Sequence, residues 1–203
     1  MKIPNYCVIT LAKCESAFMA NAMQLTEGFK NEIEKKANPI SIRYGIMTTG
    51  QHAGSIAFFQ NYATLSDFEK SFSIYQESDD YKALFTSGNA QVVMRNIVKY
   101  IDIPFEQKLA KEAKYLVLTR VSTAESMEPE IAELAHIFSE GGALTYRFGN
   151  LITGNNVGNQ LLGVTYSSMA EMEKIYDILG KHDGHKALLN KVNVNMRNII
   201  NLQ

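Results

Sequence analysis

Arg43 and Arg147 occupy matched places in two similar stretches of the chain, Arg43-Tyr44-Gly45 and Arg147-Phe148-Gly149. Two guanidiniums so placed can form an anion-binding pair for a carboxylate or a phenolate-like oxygen, because each offers a planar fork of donors. The competing use is architectural, each arginine bridging strands or closing a rim between sheets. Arg95 and Arg197 form a second matched pair with the same two readings. An arginine in a strand must reach solvent, a carboxylate or a polar cavity, since burying it unpaired is costly. Asn96 and Asn198 follow them and either line a cavity or satisfy a neighbouring loop.

The histidines do not match one another. His52 falls in a hairpin, and its counterpart is Asn156. His136 lies off the apolar face of Ile131, Leu134 and Phe138. His182 and His185 are three apart, a spacing that can put two imidazoles on one side of a helix and permits metal or haem ligation. Asp183-Gly184 between them reads equally as a cap and turn, and no third ligand is evident. His185 takes the place of Tyr81 in the other stretch. With Tyr75 and Tyr176 it could look into a cleft between sheet and helices, although aromatics at helical spacing also serve as core. Cys7 and Cys14 give neither metal-ligand spacing nor a disulfide framework. Cys7 reads as a buried, inert thiol. No Ser-His-Asp order, no HExxH and no paired carboxylates on one face are present. Thr49-Gly50 to Gly54 joins two strands and lacks the lysine and following helix of a phosphate loop. No catalytic residue is assigned. Arg43, Tyr44, Arg147 and His185 are the candidate ligand-binding residues.

The elements that carry these residues come in two copies. Arg43 to Phe85 matches Arg147 to Leu189 without a gap, at an offset of 104. Thr49-Gly50 with Gly54 answers Thr153-Gly154 with Gly158, and Met94-Arg95-Asn96-Ile97 answers Met196-Arg197-Asn198-Ile199. Residues 6–12, 40–49, 55–62 and 91–100 read as strands from their short, β-prone runs and the glycine-containing turn between the middle two. Residues 16–36 show helical apolar spacing, with Ser16 as a candidate N-cap and Asn38-Pro39 as the stop. A second helix starts near Leu65 with Leu65, Phe68, Phe72 and Tyr75 on one face, and a short helical piece covers about 78–86. The second copy gives strands near 114–121, 143–152, 159–166 and 193–201. Its helices fall near 125–139, 168–179 and 183–190, the first helix being the shorter one. Residues 1–103 and 114–203 are therefore two repeats joined by a link over 104–113.

A net charge of −1 over 203 residues leaves no electrostatic footprint for nucleic acid or an anionic membrane. No apolar run approaches the roughly 20 residues of a membrane span. Met1-Lys2-Ile3-Pro4-Asn5 lacks the layout of a signal peptide, so a cytoplasmic location is expected.

Each copy reads β-α-β-β-α-β, the ferredoxin-like split βαβ motif. Such a sheet carries helices on one face only, and the other must be buried elsewhere. Strand two is apolar on both parities, Ile42, Tyr44 and Ile46 against Met47 and the stem of Arg43, so the two sheets should pack on each other. In this layout the chain resembles the dimeric α/β-barrel superfamily in its fused, tandem form, with distant likeness to NIPSNAP-like, chlorite-dismutase-like and antibiotic-biosynthesis-monooxygenase-like proteins. The expected fold is α+β, two ferredoxin-like repeats forming a single-chain barrel. The resemblance implies a small, partly apolar ligand between sheet and helices of one copy. For an enzyme it implies cofactor-independent oxidation of the monooxygenase kind. A non-catalytic binding or assembly protein is the alternative. No cofactor is expected; haem, ligated by His182 or His185, is a further alternative. No nucleic-acid or membrane partner is expected, and homodimer formation is left open.

Overall fold

A computed structural model describes residues 3–203. Met1 and Lys2, which open the N-terminal stretch read above, lie outside them. The first copy runs β1 (Tyr6–Cys14), a 3₁₀ turn (Ser16–Phe18), α1 (Met19–Lys36), β2 (Ser41–Met47), β3 (Ile56–Tyr62), α2 (Leu65–Glu69), α3 (Ser71–Glu77), α4 (Asp79–Thr86) and β4 (Ala90–Ile101). The second runs β5 (Tyr115–Ser122), α5 (Glu128–Gly141), β6 (Thr145–Leu151), β7 (Gln160–Tyr166), α6 (Met169–Lys181), α7 (Asp183–Lys191) and β8 (Asn193–Leu202). Ser16 is not the N-cap: it lies inside the 3₁₀ turn, and no side chain caps either that turn or α1. The second copy's first helix is the shorter, 14 residues against 18.

The eight strands close into one antiparallel barrel in the order β1-β3-β2-β8-β5-β7-β6-β4. Each copy gives four neighbouring strands, and the closures are β2 with β8 and β4 with β6. The two sheets are thus joined edge to edge, which leaves neither with an open strand. The helices cover the outside, so strands are buried on both faces, and all seven residues of β3 are buried.

The repeated Arg-aromatic-Gly is a division of labour along a strand whose side chains alternate in direction. Arg43 and Arg147 face the barrel interior. Tyr44 and Phe148 face the helices, in the cores beneath α1 and α5. Gly45 and Gly149 lie at the two closures, where a Cβ would run into the carbonyl oxygens of Asn201 and Lys99.

The repeated Thr-Gly holds the copies together. The amide of Ile199 donates to Thr49 Oγ1 (2.9 Å) and that of Ile97 to Thr153 Oγ1 (2.8 Å). Thr48 N donates to Ile199 O (2.8 Å) and Ile152 N to Ile97 O (2.9 Å). Each hairpin tip therefore docks on the last strand of the other copy. Gly50 and Gly154 have φ of +84° and +85°, and a side chain there would collide with Asn198 and Asn96 respectively. Those asparagines pack against the glycines of the two hairpin tips, and Asn198 Nδ2 donates to Met47 Sδ (3.4 Å).

Arg95 and Arg197 take the architectural role. Arg95 donates to Thr10 Oγ1 (3.0 Å) and Tyr81 Oη (3.2 Å) and lies over the Tyr75 ring at 4.4 Å. Arg197 donates to Thr119 Oγ1 (3.2 Å) and lies over Tyr176 at 5.0 Å. Each pins a helix to its own sheet. These contacts also correct the ungapped repeat. Tyr75 corresponds in place to Tyr176, and Ile74 (1% exposed) to Ile175 (0%), whereas Ile178 is 40% exposed. The break between α2 and α3 at Lys70 shifts the register inside the helical layer. It is restored at the caps Ser78 and His182.

Candidate functional site

The barrel is not filled. A cavity of about 270 Å³ lies between the two sheets, and Arg43 and Arg147 both line it. β2 and β6 bring them in from opposite copies, each two residues before its strand's seam glycine. Burial, and then the like charge of Arg147, holds the Arg43 guanidinium below its usual range. Arg147 lies over the Tyr100 ring at 5.5 Å. No acidic side chain is among the described residues that line the cavity. Arg120 is on the inner parity of β5, two residues beyond Leu118, and its Nε is buried without a partner.

The other polar groups of the cavity satisfy one another. Tyr100 Oη donates to Asn61 Oδ1 (3.0 Å), and Asn61 Nδ2 donates to Ser41 Oγ (3.1 Å). The Thr145 and Thr165 hydroxyls share a bond of 2.7 Å. The Cys7 thiol meets Tyr100, and burial outweighs both that bond and Arg147 to push the thiol up to about 11. Burial likewise raises Tyr100 well above the usual phenol range. Both groups are neutral at neutral pH. The remaining wall is apolar: Ile9, Phe59, Val98, Leu116, Leu118 and Leu161. Leu109, from the link between the copies, closes one end. Both arginines also border surface clefts beside that link, so the cationic end of the cavity is the end the link covers.

The four residues singled out in the sequence fall in three places. Arg43 and Arg147 come together. Tyr44 is on the opposite face of β2, packed near Phe58 (6.3 Å between centroids). His185 lies under the helices of the second copy, Nδ1 against Leu179 O at 2.9 Å. The space expected between sheet and helices is small in both copies, about 50 Å³ beside His185 and about 30 Å³ beside Tyr75. Aromatic and aliphatic side chains from the helices fill it. Phe59, Tyr100 and Gly163 line the barrel cavity and were not singled out. The signal for Gly163 was in the sequence, because it is the partner of Phe59 at the repeat offset.

Comparison with known families finds the model described as "Domain of unknown function (DUF6854)" over residues 4–100 and 113–202. The chain belongs to the DUF6854 family. No curated protein matches it. Solved structures match over the whole of this DUF6854 chain. A candidate monooxygenase from Fusobacterium nucleatum has a TM-score of 0.69 at 11% identity, with 100% of this chain and 94% of that one covered. A chlorite dismutase variant from Candidatus Nitrospira defluvii has a TM-score of 0.65 at 9% identity, covering 100% and 92%. A haem-binding protein from Thermus thermophilus has a TM-score of 0.60 at 10% identity, covering 100% and 95%. Identities this low establish the shared dimeric α/β-barrel fold alone.

The haem that such a fold can carry does not suit the residues present here. Leu179 holds His185 by Nδ1, which leaves Nε2 for a ligand. The adjoining space of about 50 Å³ is far below the roughly 300–1,000 Å³ of ligand pockets. Met127, Phe138, Tyr176 and Leu188 line that space. His182 caps α7, accepting from His185 N at 3.4 Å. Among the described residues, no helix is long and apolar enough to cross a membrane.

Proposed function

We propose that this DUF6854 protein binds a small anionic molecule with a partly apolar body inside its barrel, anchored by Arg43 and Arg147. One observation carries the reading: two guanidiniums from opposite copies face a single cavity with no acidic side chain among the described residues of its wall. Holding two cations together out of water is unfavourable, and an anion between them offsets that cost through charge-assisted bonds strengthened by low dielectric. Cys7 and Tyr100 supply no counter-charge at neutral pH. The finer reading suggested by the fold likeness is a monooxygenase-like oxidation, in which negative charge developing on a substrate oxygen would meet the same guanidiniums. The second reading is binding without catalysis. It is favoured by the protonated state of Cys7 and Tyr100, which leaves the cavity wall without a base at neutral pH.

Native mass spectrometry of the purified protein, followed by extraction of the bound species, tests the anchor. Arg43→Met and Arg147→Met are each expected to weaken anion binding by about tenfold or more. Each should also raise the thermal midpoint of the ligand-free protein, by on the order of 1 kcal/mol of stability, because a poorly compensated cation is removed. A double variant that retains the same anion with the same affinity overturns the reading.

A further inference from the structure

Phe59 and Gly163 hold the same register position in the two copies. Phe59 pairs with Ile9 and Arg43 across its neighbouring strands, and Gly163 pairs with Leu118 and Arg147. The neighbours match in kind, an aliphatic and an arginine, while the side chain between them is a ring in one copy and absent in the other. A Cβ on Gly163 would find ordinary contact, with Leu118 Cδ2 at 3.4 Å and Leu116 Cδ1 at 3.6 Å, so the position has room for a side-chain atom that the glycine leaves unused. Glycine within a strand weakens it and often marks a place where another group approaches closely. Part of the cavity is thus the space over Gly163, where the first copy carries a phenyl ring.

We infer that the ligand is a monocyclic aromatic carboxylate whose ring fills the gap over Gly163, against Phe59, with its carboxylate between Arg43 and Arg147. This rests on the anion-binding reading above and narrows it. Size agrees: 270 Å³ is about nine water volumes of ~30 Å³ each, the size of a body with roughly ten non-hydrogen atoms. Polarity agrees as well. Asn61, Ser41, Tyr100, Thr145 and Thr165 are bonded among themselves, so the guanidiniums are the charged groups left to recognise a polar atom. A sugar or a nucleotide would bring hydroxyls that find no partner, at a cost. A benzoate or a phenylacetate brings one anionic head and an apolar ring.

The test uses benzoate, benzamide and sulfate with the full chain, read by calorimetry and by methyl shifts of Leu116, Leu118 and Ile9. The intact protein is expected to bind benzoate and to bind benzamide about tenfold or more weakly. Gly163→Leu, which meets no positive-φ strain, should abolish benzoate binding while sulfate still reaches the arginines. Gly163→Val gives the same reading should the larger side chain prevent folding. Benzoate binding that is unchanged in both variants, or sulfate binding without benzoate binding in the intact protein, overturns the aromatic assignment and leaves the anion site standing. Benzoate and sulfate shifts that persist in the Arg43→Met, Arg147→Met double variant overturn both.

Discussion

The character of Arg43 and Arg147 comes from what faces them, which strand alternation decides. In β2 the residue beside Arg43 is turned into the helical core, and so Tyr44 cannot reach the cavity. A period of two, applied strictly to the strand, separates the two residues without coordinates. The arginine pair itself was legible, because both copies carry it. Its lack of a counter-charge was not, since that depends on the whole lining of a barrel closed by distant strands. His185 shows a different limit. Burial, aided by the nearby charges of Arg197 and His182 and opposed by the bond to Leu179 O, lowers its pKa below the usual histidine value of about 6.5. The unfolded chain therefore takes up this proton before the folded one does. The contribution to stability is complete above pH ~6.5 and is lost as pH falls from there toward the lower folded value. His185→Gln should flatten that part of a plot of urea midpoint against pH. An unchanged slope between pH ~7 and ~5 would assign the dependence to other groups.

Helices, strands and hairpins were readable from period and punctuation, and their order gave the ferredoxin-like motif. Two features at this scale were not readable. The step at Lys70 moves Tyr75 out of the repeat register, yet the helical spacing on either side continues, so an ungapped match hides it. The hairpin tips look like ordinary turns because their partners lie in the other copy, 150 residues away for Thr49 and 56 for Thr153. These tips should carry a measurable share of the stability. Thr153→Val removes the acceptor of the half-buried Ile97 amide and is expected to cost about 1 kcal/mol. Gly154→Ala imposes a Cβ at φ +85° that also meets Asn96, with an expected cost of about 1–3 kcal/mol. Gly158, also at positive φ but with open space around its Cβ position, is the control, and Gly158→Ala should cost less than Gly154→Ala in the same denaturant titration. Equal costs would show that strain alone, and not docking on the other copy, sets the effect.

Duplication within one chain lets the molecule do what two identical subunits cannot: place a ring on one wall and leave it out of the other. Each half alone would expose β2 and β4, or β6 and β8, as unpaired edges, together with an apolar inner face. Such a half is not expected to persist as a folded monomer. Residues 1–103 should pair with a second copy, β2 of one meeting β4 of the other, and the interior would then hold two Phe59 rings and two Arg43 guanidiniums. Residues 114–203 would assemble around two Gly163 positions, with Arg120 in both places that Leu11 fills in the other half. The first barrel is packed, whereas the second has a larger void and more unpaired cations. The N-terminal dimer should therefore melt higher, since voids and unpaired charge both destabilise. Neither dimer should reproduce the benzoate affinity of the full chain, because only the full chain sets one ring opposite one gap. Light scattering coupled to size exclusion, thermal melts and benzoate titration of the two halves check each step. Stable, monomeric halves would overturn the account of barrel closure, and a benzoate-competent N-terminal dimer would overturn the role given to Gly163.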